Sequence, residues 1–165
     1  RQRRPLHPFG HSFCAEDYFM KRSEYQVAEP CKTFDELRHE KYDPMQIFRE
    51  SRRELAEIKA NPQLPSNYME LAELYIVAGL AKAEQGDSRG ASMYLLGTDE
   101  GRNTPNGKGQ ARRWDGAVGA LEMAGKLGAD KKCVEELFLP SVKLGIYADN
   151  LDRALSGLPP KGGKH

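Results

Sequence analysis

The sequence predicts an all-α protein built from antiparallel helix hairpins. Three observations favour this class. Apolar residues recur at helical spacing over most of the chain, Pro and Gly separate these segments, and no segment alternates apolar and polar residues as a strand would. The hairpins fit either a regular right-handed array or an irregular α-bundle, with about seven helices in total.

The chain of 165 residues is expected to form one domain, since a chain of this length buries enough surface for a single core. We expect an extended N-terminal arm over residues 1–13, a helical domain over residues 14–157 and a tail over residues 158–165. Prolines and a glycine prevent a regular helix in the arm. Within the domain, residues 97–110 contain four Gly and no apolar side chain, which predicts a solvated loop.

Capping residues indicate where several helices begin. Thr33 and Glu36 have the spacing of a capping box, Asp43 precedes a proline suited to a first helical position, and Ser66 is a further N-cap candidate. The expected helical segments, eight if the last two are counted apart, cover residues 14–28, 33–41, 43–60, 66–86, 88–96, 111–127, 130–139 and 141–156. Pro140 is expected to separate the last two.

Helical spacing also predicts which side chains face the core. In the helix 43–60 the predicted apolar face is Met45, Phe48, Leu55 and Ile58. In the helix 66–86 it is Tyr68, Leu71, Ala72, Tyr75, Ala78 and Gly79.

The charge of the chain is nearly balanced, with 25 basic and 24 acidic side chains. The balance is also even along the sequence, because residues 1–60 carry 12 basic and 11 acidic side chains. A protein that binds mainly by neutralising phosphates needs a basic surplus, so this composition disfavours nucleic acid as the main partner. Three cysteines without a CxxC pair indicate a reducing compartment or incidental thiols.

Three segments superficially match catalytic or metal-binding motifs. GRNTPNGKG (residues 101–109) lacks the spacing and the hydroxyl of a phosphate-binding loop, and GDSRG (residues 86–90) lies at a helix–helix turn without a nearby histidine base. His7, His11 and Cys14, with Cys31 as a fourth ligand, lack the paired spacing of most zinc sites. We therefore predict no catalytic residues, no metal site and no cofactor.

Two segments instead suggest protein contacts. In the arm, Arg3 accompanies three apolar anchors that cannot build a core of their own, which favours docking on a partner. Arg112, Arg113 and the only Trp, Trp114, form the second segment, because Arg and Trp are enriched at interface hot spots. The predicted interface residues are Arg3, Leu6, Phe9, Phe13, Arg112, Arg113 and Trp114.

Residues 75–95 carry a resemblance to known helical repeats. The segment YIVAGLAKAEQGDSRGASMYL resembles the tetratricopeptide repeat at its aromatic, small-pair, turn-glycine and second-helix alanine positions, and departs from it at Lys82. A poorer copy, EMAGKLGADKKCVEEL, follows at residues 122–137. Hairpins of this type also resemble pentatricopeptide repeats, which implies stacked hairpins that bind protein or RNA.

Size, helical content and an Arg-rich, acid-poor start make the chain similar in type to the 18-kDa accessory subunits of euglenozoan mitochondrial ATP synthases. That resemblance implies a non-enzymatic subunit with a processed N-terminus, on the matrix side of the mitochondrion and bound to the F1 head. Accessory subunits of respiratory complexes or the mitoribosome, and an RNA-binding helical-repeat protein, are the alternatives. The expected partners are protein subunits, with RNA less favoured and no membrane-spanning segment.

Overall fold

A computed structural model describes residues 31–98 and 115–160 of the chain. By internal packing the chain divides into two units, Arg1–Cys31 and Lys32–His165, and every helix given below belongs to the second unit. Within the described residues all regular structure is helical and no strand is present, so the predicted all-α class is confirmed there.

Six helices occupy the described residues. They are α1 (Phe34–Arg38), α2 (Pro44–Ala60), α3 (Pro65–Glu84), α4 (Ser88–Leu96), α5 (Ala117–Lys126) and α6 (Lys131–Leu155). The predicted count of seven and the predicted repeat arrangement are not confirmed. The arm 1–13, the helix 14–28, most of the loop 97–110 and most of the tail lie outside the described residues.

Local capping explains how the first two helices begin. The Thr33 hydroxyl accepts a hydrogen bond from the Glu36 N–H at 3.0 Å, and the Glu36 carboxylate accepts one from the Thr33 N–H at 2.9 Å. This reciprocal pair confirms the predicted capping box and satisfies donors that a helix N-terminus leaves open. Asp43 caps α2 in turn by accepting from the Met45 N–H at 3.1 Å.

The centre of the fold is α3, which contacts α1, α2, α4 and α5. Its buried side chains lie on all sides, as expected of a helix with neighbours around it. The predicted core face of α3 is confirmed, because Tyr68, Leu71, Ala72, Tyr75, Ala78 and Gly79 are all buried. Ile76 is buried as completely as Leu71, although it lies outside the predicted face.

Two antiparallel hairpins, α3/α4 and α5/α6, share one kind of turn. Gly86 and Gly128 have φ angles of +82° and +102°, a region that glycine enters without steric cost. In each turn an N–H bonds to a carbonyl five residues earlier, from Asp87 to Lys82 at 2.9 Å and from Ala129 to Ala124 at 2.9 Å. Each helix is therefore closed by the glycine-containing C-terminal motif that redirects the chain for the next helix.

Glycines also allow α4 to lie close to two neighbours. A Cβ on Gly79 of α3 would lie 2.8 Å from Leu95 Cγ, and a Cβ on Gly145 of α6 would lie 2.6 Å from Leu96 Cγ. Leu95 and Leu96 are consecutive, so they project from α4 in different directions. The short helix α4 is therefore packed between α3 and α6.

Three helix boundaries differ from the predictions. The separation predicted at Pro140 is wrong, because α6 runs unbroken from Lys131 to Leu155 with Pro140 inside it. The predicted start at residue 111 is also wrong, since Asp115 and Gly116 are not helical and α5 begins at Ala117. The N-cap of α3 is Leu64 and not Ser66, which leaves Pro65 at the first helical position, where its missing N–H costs nothing.

The predicted apolar face of α2 is partly wrong. Met45 and Phe48 are 62% and 57% exposed, whereas Ile47 and Ile58 are buried. Glu54 is only 2% exposed. The helix is therefore rotated about its axis relative to the prediction, and a carboxylate lies inside.

Candidate interaction surface

All seven predicted interface residues lie outside the described residues: Arg3, Leu6, Phe9, Phe13, Arg112, Arg113 and Trp114. The described chain resumes at Asp115, directly after Trp114.

Asp115 belongs to a stem that joins the two ends of the loop. We use "loop stem" for Gly97, Thr98, Asp115 and Gly116. The Thr98 hydroxyl donates to Asp115 Oδ2 at 2.7 Å, and the Thr98 N–H donates to the same oxygen at 3.4 Å. A Cβ on Gly116 would collide with the Gly97 backbone, so the two glycines pack against each other. Thr98 and Asp115, the described residues on either side of positions 99–114, therefore lie next to each other.

Tyrosines lie between the loop stem and the α3/α4 turn. The rings of Tyr75 and Tyr94 have centroids 6.1 Å apart with an interplanar angle of 41°. Burial raises the pKa of Tyr75, and the negative charge of Asp115 raises that pKa further. Burial also raises the pKa of Tyr94. An electrostatic interaction and a hydrogen bond with Tyr42 raise this pKa further, as does the negative charge of Asp87. Tyrosines with raised pKa values stay protonated at neutral pH, so this cluster packs as neutral side chains and offers no general base.

The GDSRG segment has a local structural role. Asp87 accepts a hydrogen bond from the Gly90 N–H at 2.8 Å and so caps α4, and its carboxylate lies 3.8 Å from Lys82 Nζ. Ser88 is buried in the first turn of α4. The segment therefore ends one helix and starts the next, as its predicted place at a helix–helix turn implies.

The cysteines differ from the prediction. Cys31 and Cys133 are each disulfide-bonded, so the interpretation of these two as incidental thiols is wrong. A disulfide sulfur is not the thiolate that binds zinc, which removes Cys31 as a fourth ligand to His7, His11 and Cys14. Those three residues lie outside the described residues. Within residues 31–98 and 115–160, no group of His, Cys, Asp or Glu side chains is arranged to hold a metal ion.

Exposed apolar side chains concentrate at the end of α6. We define the "C-terminal apolar surface" as Tyr147, Leu151, Leu155 and Leu158. The first three are four residues apart and so share one face of the helix, with Tyr147 64% exposed and Leu155 74% exposed. Leu158 follows the helix, and its N–H bonds to the Arg153 carbonyl at 2.7 Å. Large apolar side chains grouped on one exposed face are typical of a protein–protein contact.

Two contacts define the chain just after α6. The Arg153 side chain donates from Nε to the Pro159 carbonyl at 2.6 Å, and the Gly157 N–H bonds to the Ala154 carbonyl at 3.1 Å. These bonds turn the chain back along the last helical turn. Leu158 is therefore held in place beside the helix, so that the C-terminal apolar surface continues past its end.

The sequence contains a signal for this surface that the prediction did not use. The inner face of α6 comprises Leu137, Ser141, Gly145 and Ala148. Leu155 follows Leu137 by about five turns and so continues this face, while Leu151 and Tyr147 lie progressively to one side of it. The apolar pattern of α6 therefore continues beyond the residues that the other described helices cover.

A second exposed apolar pair lies on α2. Met45 and Phe48 are one turn apart, and the Arg52 guanidinium lies over the Phe48 ring at 5.4 Å from its centroid. A cation over an aromatic face is attracted by the ring quadrupole, so Phe48 already has a favourable contact within the chain. This pair is smaller than the C-terminal apolar surface and serves below as a control.

Comparisons with known proteins yield no relative of this chain. No family model, curated protein or solved structure matches it. Among the described residues, no helix combines the length and the apolar character that crossing a membrane requires.

Proposed function

We propose that this chain is a non-catalytic accessory subunit of a mitochondrial multiprotein complex, with the F1 head of ATP synthase as its parent assembly. The observation that carries the proposal is the C-terminal apolar surface. Four large apolar side chains on one exposed face lose contact with water when a neighbouring subunit covers them, and about 25 cal/mol is gained per Å² of apolar area buried. An accessory subunit acts in this way, by burying surface on its neighbour.

The helix arrangement supports the repeat-like part of the proposal. In the hairpins α3/α4 and α5/α6, the first helices contact each other and the second helices contact each other. Stacked hairpins of tetratricopeptide type make this kind of neighbour contact, and both hairpins here use the same glycine turn. We propose that the two hairpins form a short array whose outer surface docks on the parent complex.

The non-catalytic part of the proposal rests on the motifs. GDSRG serves as a turn and a cap, and the nearby tyrosines have raised pKa values that disfavour proton transfer at neutral pH. Near-neutral charge supports protein partners over RNA. An RNA-binding helical-repeat protein, or an accessory subunit of a respiratory complex or the mitoribosome, would be revealed by the experiment below.

The compartment is part of the same proposal and has its own test. Disulfides persist in oxidising compartments and are uncommon where thiols are kept reduced. Cys31 and Cys133 are both disulfide-bonded, as expected in an oxidising compartment, whereas the matrix location inferred from the basic start predicts that both are reduced. Trapping thiols with an alkylating agent during lysis, followed by mass spectrometry, distinguishes the matrix from an oxidising compartment.

Affinity purification from native mitochondria tests the function. The tagged protein is purified with and without ribonuclease, and its partners are quantified by mass spectrometry. We expect ATP synthase head subunits in fixed ratio, unaffected by ribonuclease. Leu155→Ser should reduce this recovery, whereas Met45→Ser should not, because Met45 is similarly exposed but lies on α2.

Three outcomes would contradict the proposal. Loss of partners after ribonuclease would favour the RNA-binding alternative. Fixed-ratio recovery of a respiratory complex or of the mitoribosome would change the parent assembly. Equal recovery with Leu155→Ser and with the wild-type chain would remove the C-terminal apolar surface as the docking site.

A further inference from the structure

A second face of α6 carries a different pattern from the C-terminal apolar surface. We define the "α6 seam" as Lys132, Glu136, Leu139, Lys143 and Ile146. These residues are spaced alternately by four and three positions, and all five are exposed. Alternating steps of four and three keep side chains on one line along a helix, as in the contact line of a coiled coil.

The α6 seam points away from the rest of the fold. The buried residues of α6, Leu137, Ser141, Gly145 and Ala148, lie on the opposite part of its circumference. Leu139 is 58% exposed although it lies near the middle of the helix, far from either end. Along the part of the chain that the structure describes, neither Glu136 nor Lys143 forms an ion pair.

The charges of the α6 seam are complementary to those of a second copy of the seam that runs in the opposite direction. Glu136 and Lys143 lie on either side of Leu139, three and four residues away. If a second copy of α6 lies antiparallel, with a two-fold axis at Leu139, each Glu136 lies within one residue, about 1.5 Å along the axis, of the partner's Lys143. The same symmetry places Leu139 against the partner's Leu139, and the aliphatic part of the Lys132 side chain against the partner's Ile146.

We propose that the α6 seam binds a second copy of this chain in an antiparallel, two-fold symmetric contact. A two-fold contact uses the same patch on both subunits, so one patch must be complementary to itself, and the α6 seam has that property. A parallel pair would place Glu136 against Glu136 and is disfavoured by like-charge repulsion. Antiparallel helices also oppose their dipoles favourably. The net charge of +1 leaves little long-range repulsion between two copies.

Charge reversal tests this contact directly. Sedimentation velocity of the full chain over a concentration range should show a concentration-dependent species of twice the 18.5 kDa chain mass. Lys143→Glu places two carboxylates together at two symmetric positions, so the dissociation constant of the dimer should rise by about tenfold or more. The double variant Glu136→Lys with Lys143→Glu restores opposite charges and should recover the wild-type value.

Matched controls separate the contact from general charge effects and from misfolding. Glu122→Lys changes an exposed acid of α5 and should leave dimerisation unchanged. Helical content measured by circular dichroism should be the same in all variants. A wild-type chain that sediments as a monomer at every concentration would overturn the proposal, as would a folded double variant that fails to recover dimerisation. Neither outcome depends on the parent complex proposed above.

Discussion

The Leu95 side chain packs onto the Cα of Gly79 so closely that a Cβ on Gly79 would lie 2.8 Å from Leu95 Cγ. Leu95 is fully buried, so it has little room to move away. The crossing of α3 and α4 therefore requires a glycine on α3, and the distance between the two helices is set at this point.

Gly79→Ala should lower the free energy of unfolding by about 1–3 kcal/mol, because overpacking a close helix crossing displaces side chains or backbone. Gly125→Ala is the matched control, since its Cβ would meet only Val134 Cγ1, at 3.8 Å. Gly125 is the second-to-last residue of α5, where replacing glycine without a clash gains at most about 0.5–1 kcal/mol. Urea unfolding followed by circular dichroism measures both, and equal effects of the two substitutions would contradict the crossing described here.

Tyr75→Phe should extend the folded range to higher pH. The pKa of Tyr75 is raised in the folded state above its usual value of 10.0, so the stability linked to its proton is fully present below pH 10.0. That stability is lost as the pH rises above this value, because the unfolded chain releases the proton more readily. Phenylalanine has no such proton.

Alkaline titration of helical content by circular dichroism measures this effect. Tyr147→Phe is the control, because its side chain is exposed and its substitution should leave the alkaline midpoint where it is in the wild-type chain. If Tyr75→Phe unfolds at the wild-type midpoint, another group causes the alkaline transition.

Pro140→Ala should stabilise the protein by about 1–3 kcal/mol. Pro140 lies inside α6 and has no N–H to donate to the carbonyl of Glu136, whereas alanine restores that bond. Pro44→Ala is the control, because Pro44 is at the first position of α2, where no partner is lost. Thermal unfolding measures both, and a lower melting temperature for Pro140→Ala would mean that the fold depends on the shape that proline imposes.

Alkylation should distinguish the thiols. The chain has three cysteines, of which Cys31 and Cys133 are disulfide-bonded. The intact mass after denaturation and alkylation should therefore increase by at most one adduct without reductant and by three adducts with it. Three adducts without reductant would show that the purified protein holds these cysteines as thiols.

Much of the local structure could be predicted because it depends on few neighbouring residues. The Thr33–Glu36 capping box, the cap at Asp43 and the glycine turns at Gly86 and Gly128 all occur where the sequence places them. Each is stabilised by hydrogen bonds within about six residues, so the responsible atoms are already adjacent in the chain. The core face of α3 was predictable too, because most residues of this helix are apolar.

The errors share a different cause. Met45 and Phe48 were predicted inward and are exposed, while Glu54 is buried, because the rotation of α2 depends on contacts with other helices. The α6 helix continues through Pro140 because flanking residues on both sides pack against other helices. The low helix propensity of proline disfavours a helix that continues through Pro140, but packing contacts with residues distant in sequence outweigh that preference.

The sequence by itself determined the helical class, most helix ends and the two glycine turns, since these follow from propensity and short-range hydrogen bonds. Only the tertiary structure decided which faces of α2 and α6 are covered. It left the C-terminal apolar surface and the α6 seam exposed, because a helix buries only the sides that its neighbours reach. The residues proposed here to bind partners are those that folding leaves uncovered.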